Sequence, residues 1–186
     1  MPGSLPLDPL LVATASGFIA LVFARAAYHK ASDFLVFTGT LSDYRIVPET
    51  LLTTVTAALI VLEVVVAGGI LWSETRPAAA LLGAGLLIAY AGAMAVPLSQ
   101  GRTEISCGCG GAADQLSVWL LVRNAVLAVL ALVAAQPMLG RDLQWFDFLS
   151  IPLGVLAMWL ILEAVEQTLQ TGAHIRSLRA KQNKEV

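Results

Sequence analysis

Charge is what this chain has least of. Among its 186 residues only 11 are Lys or Arg and 13 are Asp or Glu, 13% in all, where ordinary soluble domains carry about 25%. The net charge of −2 leaves no basic footprint of the kind a nucleic acid requires. The sequence has no internal repeat, no low-complexity tract and no second domain, and no period-two alternation of the kind a membrane β-barrel would need. A nucleotide-binding glycine pattern and a metal-ligand set are both missing. Residues 1–9 contain no Lys or Arg, and no small-residue cleavage site leads into a polar mature region, so the first apolar segment reads as a retained helix rather than a signal peptide.

Hydrophobic residues fill the space instead. They make up 58% of the chain, and mean hydropathy is +0.79. Five apolar segments, at about 10–28, 51–72, 77–98, 117–136 and 148–169, approach the roughly 20 helical residues that cross a bilayer core of about 30 Å. The third carries no charge from Pro77 to Gly101, and Trp72, Trp119 and Trp145 fall near segment ends, where amphipathic rings favour the interface. The expected fold class is therefore all-α: a polytopic transmembrane helix bundle of about five helices, with residues 1–171 as a single bundle and 172–186 as a polar, basic tail that frays. The stretch from Lys30 to Thr50, broken by Gly39 and Pro48, is too short to span and predicts a half-helical, interfacial excursion.

Five spans fix a parity. The 30–50 loop, the 99–116 loop and the tail share one membrane face, and the turns at 73–76 and 137–147 share the other with the N-terminus. The first face carries Arg25, Lys30, Arg45, Arg102 and four basic tail residues, against Arg76 and Arg141 opposite. The positive-inside rule places it in the cytoplasm.

Cysteine occurs only twice, at Cys107 and Cys109, within "EISCGCGGAAD". Three readings compete. Two unrelated free thiols would ordinarily not fall two positions apart. Thiolates suit Cu(I) or zinc; a closed zinc site wants four ligands, and no further Cys, nor any His in the same loop, is available, which leaves a two-coordinate Cu(I) site as the metal reading. A redox dithiol fits best. Closing a disulfide over one residue demands unusual geometry, which Gly108, Gly110 and Gly111 permit, and a strained, exposed disulfide is readily exchanged.

Ionisable residues inside the spans are costly in lipid and ordinarily face the bundle interior. Glu63 lies near the middle of the second segment and Arg123, followed by Asn124, about two turns into the fourth. Glu63 with Arg123 is one candidate pair; Glu163 or Glu166 of the fifth segment is the other partner for Arg123. The pairing is structural or functional with equal standing, and an Arg123 close to the dithiol would favour the reactive thiolate. His29 and Lys30 end the first segment as a snorkelling interfacial cap, with His29 as a proton donor the minority reading. Tyr44 and Arg45, before Pro48, read as an anchor at the start of the second span.

Taken in order, "AxxHKxxDFxxF" (Ala26 to Phe37), "YRIVP" (Tyr44 to Pro48), Glu63, "CGCGG" (Cys107 to Gly111) and "RN" (Arg123 and Asn124) resemble the MauE family of methylamine utilisation membrane proteins, related to DoxX-like proteins. The likeness runs over about residues 10–136, and the CGC loop is its most specific part. Many members read Cys-Gly-Cys-Phe-Gly where this chain has Gly110. The resemblance implies a four-helix core like that of DoxX and vitamin K epoxide reductase, with an added C-terminal helix, in a bacterial inner membrane. It implies a thiol-disulfide oxidoreductase component that works with a thioredoxin-like, membrane-anchored MauD-type partner. Its client would be the disulfide-rich small subunit of methylamine dehydrogenase. Cys107 and Cys109 would be catalytic, and Arg25, His29, Lys30, Tyr44, Arg45, Glu63, Arg123 and Asn124 supporting.

No cofactor follows from the residues; a quinone follows only by analogy with vitamin K epoxide reductase, which is an analogy of architecture. Partners are the lipid bilayer and proteins, not nucleic acid. A periplasmic client wants the thiols on the face opposite to the one the charge count selects, and both placements stay open at this point. The competing functional class is a non-enzymatic membrane scaffold or chaperone. A small-metabolite carrier motivated by Glu63 is a third reading, but the paired broken helices expected of transporters are missing.

Overall fold

The computed structural model describes residues 6–101, 117–141 and 143–182, with side chains through 168 and at 171. Among the described residues six helices follow one another: α1 Pro9–Ser32, α2 Phe34–Asp43, α3 Leu52–Gly69, α4 Arg76–Ser99, α5 Val118–Ala134 and α6 Asp147–Gln182, with a short 3-10 turn, Glu49–Leu51, leading into α3. Among the described residues there is no strand, only an isolated bridge between Leu7 and Met138. α1, α4, the 3-10 turn with α3, and the first 22 residues of α6 are long and apolar enough to cross a membrane. α5 has 17 residues.

Local chemistry sets the helix ends. The Asp8 carboxylate caps α1 by accepting the Leu10 amide at 2.8 Å, with Pro9 at the first helical position, where a missing N–H is harmless. Asp33 leaves helical geometry (φ −117°, ψ 47°), so α2 starts afresh and folds back over α3. α3 ends at Gly68–Gly69, and α4 opens with Arg76-Pro77. At Gly101 the chain leaves α4 through φ +73°, a backbone conformation natural to glycine.

α4 packs most extensively on α5, and α1 runs through the middle against α3, α6 and α5. The core is built largely of Ala beside Phe18, Ile19, Phe23, Val66 and Leu87, since apolar burial drives little between helices in lipid and close backbone approach is what holds them together. Gly154 meets Thr14, whose Cγ2 would lie 2.9 Å from an added Cβ, and Gly83 seats Val66 and Phe23 at 3.0 and 3.1 Å from such a carbon. The outer surfaces of α3, α5 and α6 show Val61, Val65, Val126, Val129, Leu153 and Leu160 to the surroundings. That is the apolar exterior of a multi-pass membrane protein.

One end of the bundle is stapled by polar contacts. Leu7 and the segment after α5 exchange backbone hydrogen bonds (Leu7 N to Pro137 O 2.9 Å, Leu139 N to Leu7 O 2.8 Å). Arg141 donates to Asp147 at 2.9 Å and to Asp8 at 3.1 Å. Arg76 donates to the Ala134 and Gln136 carbonyls at 3.0 and 3.1 Å, placing a cation on the C-terminal carbonyls of α5. Trp72 and Trp145 are exposed at this end. The C-terminal halves of α1, α4 and α6 meet the N-terminal half of α5 toward the other end.

Each of the five expected segments is a helix, and the 30–50 stretch is half-helical. One boundary differs from expectation: α6 runs on as helix past residue 171 to Gln182, a stretch rich in Arg, Leu, Ala, Lys and Gln, all good helix formers. Tyr44, read as an anchor at the start of the second span, is buried and packed with Met94 and Leu120 between α4 and α5, because the turn after α2 folds inward.

Candidate functional site, a charged cluster inside the bundle

α1 buries the stripe Val12, Ala15, Ile19, Phe23, Ala27 and Lys30, positions three or four apart on one helical face. Its last member is a lysine. Helical Cα–Cβ bonds tilt toward the N-terminus, so Lys30 at the end of α1 directs its stem back into the bundle. Glu63 occupies the equivalent stripe of antiparallel α3 with Leu52, Thr56 and Val66, and tilts toward it. The ammonium and Glu63 Oε1 meet at 2.7 Å, with 4% and 0% of the two side chains exposed. Tyr90, on the α4 stripe that includes Ala80, Gly83, Leu87 and Met94, donates its hydroxyl to the same Oε1 at 2.8 Å. Lys30 Nζ also lies 5.1 Å from the Phe37 ring centre and 5.3 Å from that of Tyr90. Glu63 Oε2 is buried and accepts no hydrogen bond from the described residues.

Two more ion pairs flank this triad, both reaching α6. Arg25 pairs with Glu163 and lies over the Trp159 ring at 4.9 Å. Arg123 Nε pairs with Glu166 Oε1 at 2.9 Å. Three cations and three carboxylates therefore balance within the bundle, as buried charges must. A cavity of about 40 Å³ lies among Arg25, Lys30, Glu63, Tyr90, Arg123 and Asn124, room for roughly one to three waters. Asn124 is buried, its amide donating to the Leu120 carbonyl at 2.9 Å.

Five expected site residues, Arg25, Lys30, Glu63, Arg123 and Asn124, thus converge on one cavity. Two expectations change. Lys30 is no snorkelling cap but a buried ion-pair partner, because its place on the α1 stripe turns it inward. Glu63 pairs with Lys30 rather than Arg123, which takes Glu166 of α6. His29 is half-buried, its ring edge-on to Tyr28 at 5.9 Å, and Arg45 is exposed at φ 55°; neither joins the cluster. Cys107, Gly108, Cys109, Gly110 and Gly111 lie outside the described residues. Tyr90 and Trp159 are additions. A tyrosine hydroxyl in an otherwise uncharged span, in register with Gly83 and Leu87, is the signal that marks Tyr90.

Outside the membrane, Arg141 holds Asp8 below the ordinary carboxylate range, aided by the Leu10 amide. Asp147 and Asp8 together raise Arg141 above its own.

The fold and the cluster define a class: a polytopic helical membrane protein with compensated charges at the heart of its bundle. Residues 8–136 match the family described as methylamine utilisation protein MauE, and the chain belongs to that family. It is 34% identical to the methylamine utilization protein MauE of Paracoccus denitrificans over 131 residues, 69% of this chain and 70% of that protein. Against its counterpart in Paracoccus versutus it is 36% identical over 130 residues, 69% and 70%. Against that of Methylorubrum extorquens the figure is 37% over 127 residues, 67% and 68%. No solved structure matches the chain. Lys30, Glu63, Tyr90, Arg123 and Asn124 fall inside the family match, whereas Trp159, Glu163 and Glu166 lie beyond it.

Proposed function

We propose that this chain serves methylamine utilisation as a thiol-disulfide exchange component of a bacterial inner membrane, acting through Cys107 and Cys109. The observation that carries this is the family membership, joined to a sequence whose only two cysteines form Cys-Gly-Cys. The partner is a thioredoxin-like, membrane-anchored protein of MauD type, and the client is the small subunit of methylamine dehydrogenase. A thiolate of the reduced partner attacks one sulfur of a Cys107–Cys109 disulfide, whose S–S bond breaks as a mixed disulfide forms. The partner's second thiolate then displaces that cysteine. The partner leaves oxidised, and two electrons and two protons end on Cys107 and Cys109. Arg123 is engaged by Glu166 at 2.9 Å.

Acid-quenching cells, blocking free thiols and weighing the protein tests this. The Cys107–Cys109 pair is expected to be partly disulfide-bonded, with a reduced fraction that falls when the thioredoxin-like partner is deleted. Cys107→Ser or Cys109→Ser should abolish subunit maturation while the protein still folds. Free thiols in both strains, or normal maturation with either serine, would overturn the proposal and leave a scaffold role.

A further inference from the structure

A second, larger cavity lies on the other side of the Lys30–Tyr90 wall. It measures about 200 Å³ and sits under α2, between α3 and α4, lined by Phe37, Leu41, Tyr44, Leu59, Ala93 and Met94, with Lys30 and Tyr90 common to both cavities. An apolar cavity of about 150 Å³ already admits benzene, so a substituted six-membered ring fits here. Almost all of its lining is apolar, yet Lys30 is 96% buried (4% exposed) and places an ammonium in the wall. Of its three N–H donors, one goes to Glu63 Oε1. Among the described residues no other hydrogen-bond acceptor meets it, and its Nζ lies 5.1 and 5.3 Å from the ring centres of Phe37 and Tyr90. Buried donors call for acceptors.

We infer that this pocket binds the ring of a neutral, lipid-dissolved carbonyl compound, a quinone in chemical class, with a carbonyl oxygen accepting from Lys30. The charge balance selects for neutrality: Glu63 already compensates Lys30, so a fatty-acid carboxylate or a phosphate would bring an unbalanced charge into the bundle. The aromatic rings beside the ammonium favour a flat head over a bare acyl chain, since offset rings stack favourably. Entry is from the bilayer, because the outer face of α2 exposes Leu35 and Val36 and the following turn exposes Ile46. The inference stands on the pocket alone and needs no thiol chemistry.

The test is direct binding of decyl-ubiquinone to the full chain in phosphatidylcholine nanodiscs, read as saturable quenching of intrinsic fluorescence and as a rise in Tm. It is run on the protein carrying Cys107→Ser and Cys109→Ser, so that failure of the thiol proposal and failure of this one are separable. Saturable binding is expected. It should weaken at least tenfold in Ala93→Phe, which fills the pocket without touching the ion pair, and equally in Lys30→Met with Glu63→Gln. Val61→Phe, on the exposed face of α3, should leave it unchanged. No saturable binding, or quenching that Ala93→Phe leaves intact, would overturn the inference. So would a phospholipid held in the pocket that the quinone does not displace.

Discussion

Glu63 is fully buried and Lys30 nearly so, and at this scale the physics is a contest between desolvation and pairing. Removing one partner of such a pair strands the other, at about 3–5 kcal/mol. Lys30→Met alone or Glu63→Gln alone should therefore lower unfolding stability in detergent by about that much. The double substitution should recover most of the loss, and a double-mutant cycle in denaturant reads both. If the single losses simply add, the pair is not coupled as the geometry requires. The sequence marks these residues as intramembrane charges because any ionisable group stands out in an apolar run. It does not name their partners, since which helix faces which is a tertiary matter that no local periodicity records. Lys30 is the instructive case. Its position at a helix end suggests the interface, yet lying three residues after Ala27 and seven after Phe23 already placed it on the buried stripe.

Elements show where local rules suffice and where they stop. Helix existence is legible from apolar length, and α1 begins where Asp8 and Pro9 say it should. Close approach between helices is less so: Gly154 on α6 looks like any membrane glycine until Thr14 is found against it. Gly154→Ala places a carbon 2.9 Å from Thr14 Cγ2. It should destabilise by about 1–3 kcal/mol through overpacking, with rescue when Thr14→Ala removes the opposing atoms; thermal unfolding of the four variants checks this. The polar staple at this same end of the bundle answers to pH. Because Arg141 lowers the Asp8 pKa, the contact contributes stability above the unfolded carboxylate value of about 3.9. That contribution is lost as pH falls through the folded value. Protection of the Leu7 and Leu139 amides from hydrogen exchange, taken relative to the intrinsic base-catalysed rate, should fall in that acid range and stay flat from pH 5 to 8. Arg141→Gln should remove the difference. A loss of protection on raising the pH instead would contradict the sign.

Across the whole molecule, the decisive quantity is the length of α5. Its 17 residues rise about 25 Å at 1.5 Å each, a little short of a core of about 30 Å. Two features favour a crossing nonetheless, which would make it a fifth span beside the four long apolar helices. Arg76 satisfies the carbonyls at its C-terminal end, and its packing along α4 places both of its ends beside those of a 24-residue helix. Helices packed antiparallel in this way put the loop that follows α4 and the end of α6 on one side of the membrane, and the Glu74 turn on the other. This parity holds whichever way up the protein sits, so it is independent of the charge bias. A membrane-impermeant thiol reagent can read it after disulfides are reduced. Cys107 and Cys109, and separately a Val186→Cys reporter in the Cys107→Ser, Cys109→Ser background, should label from the same side. A Glu74→Cys reporter in that background should label only from the other. If Val186→Cys instead labels from the side opposite to Cys107 and Cys109, α5 does not cross. The bundle would then have four spans, and Arg123 would meet Glu166 from a helix seated at the membrane face rather than through it.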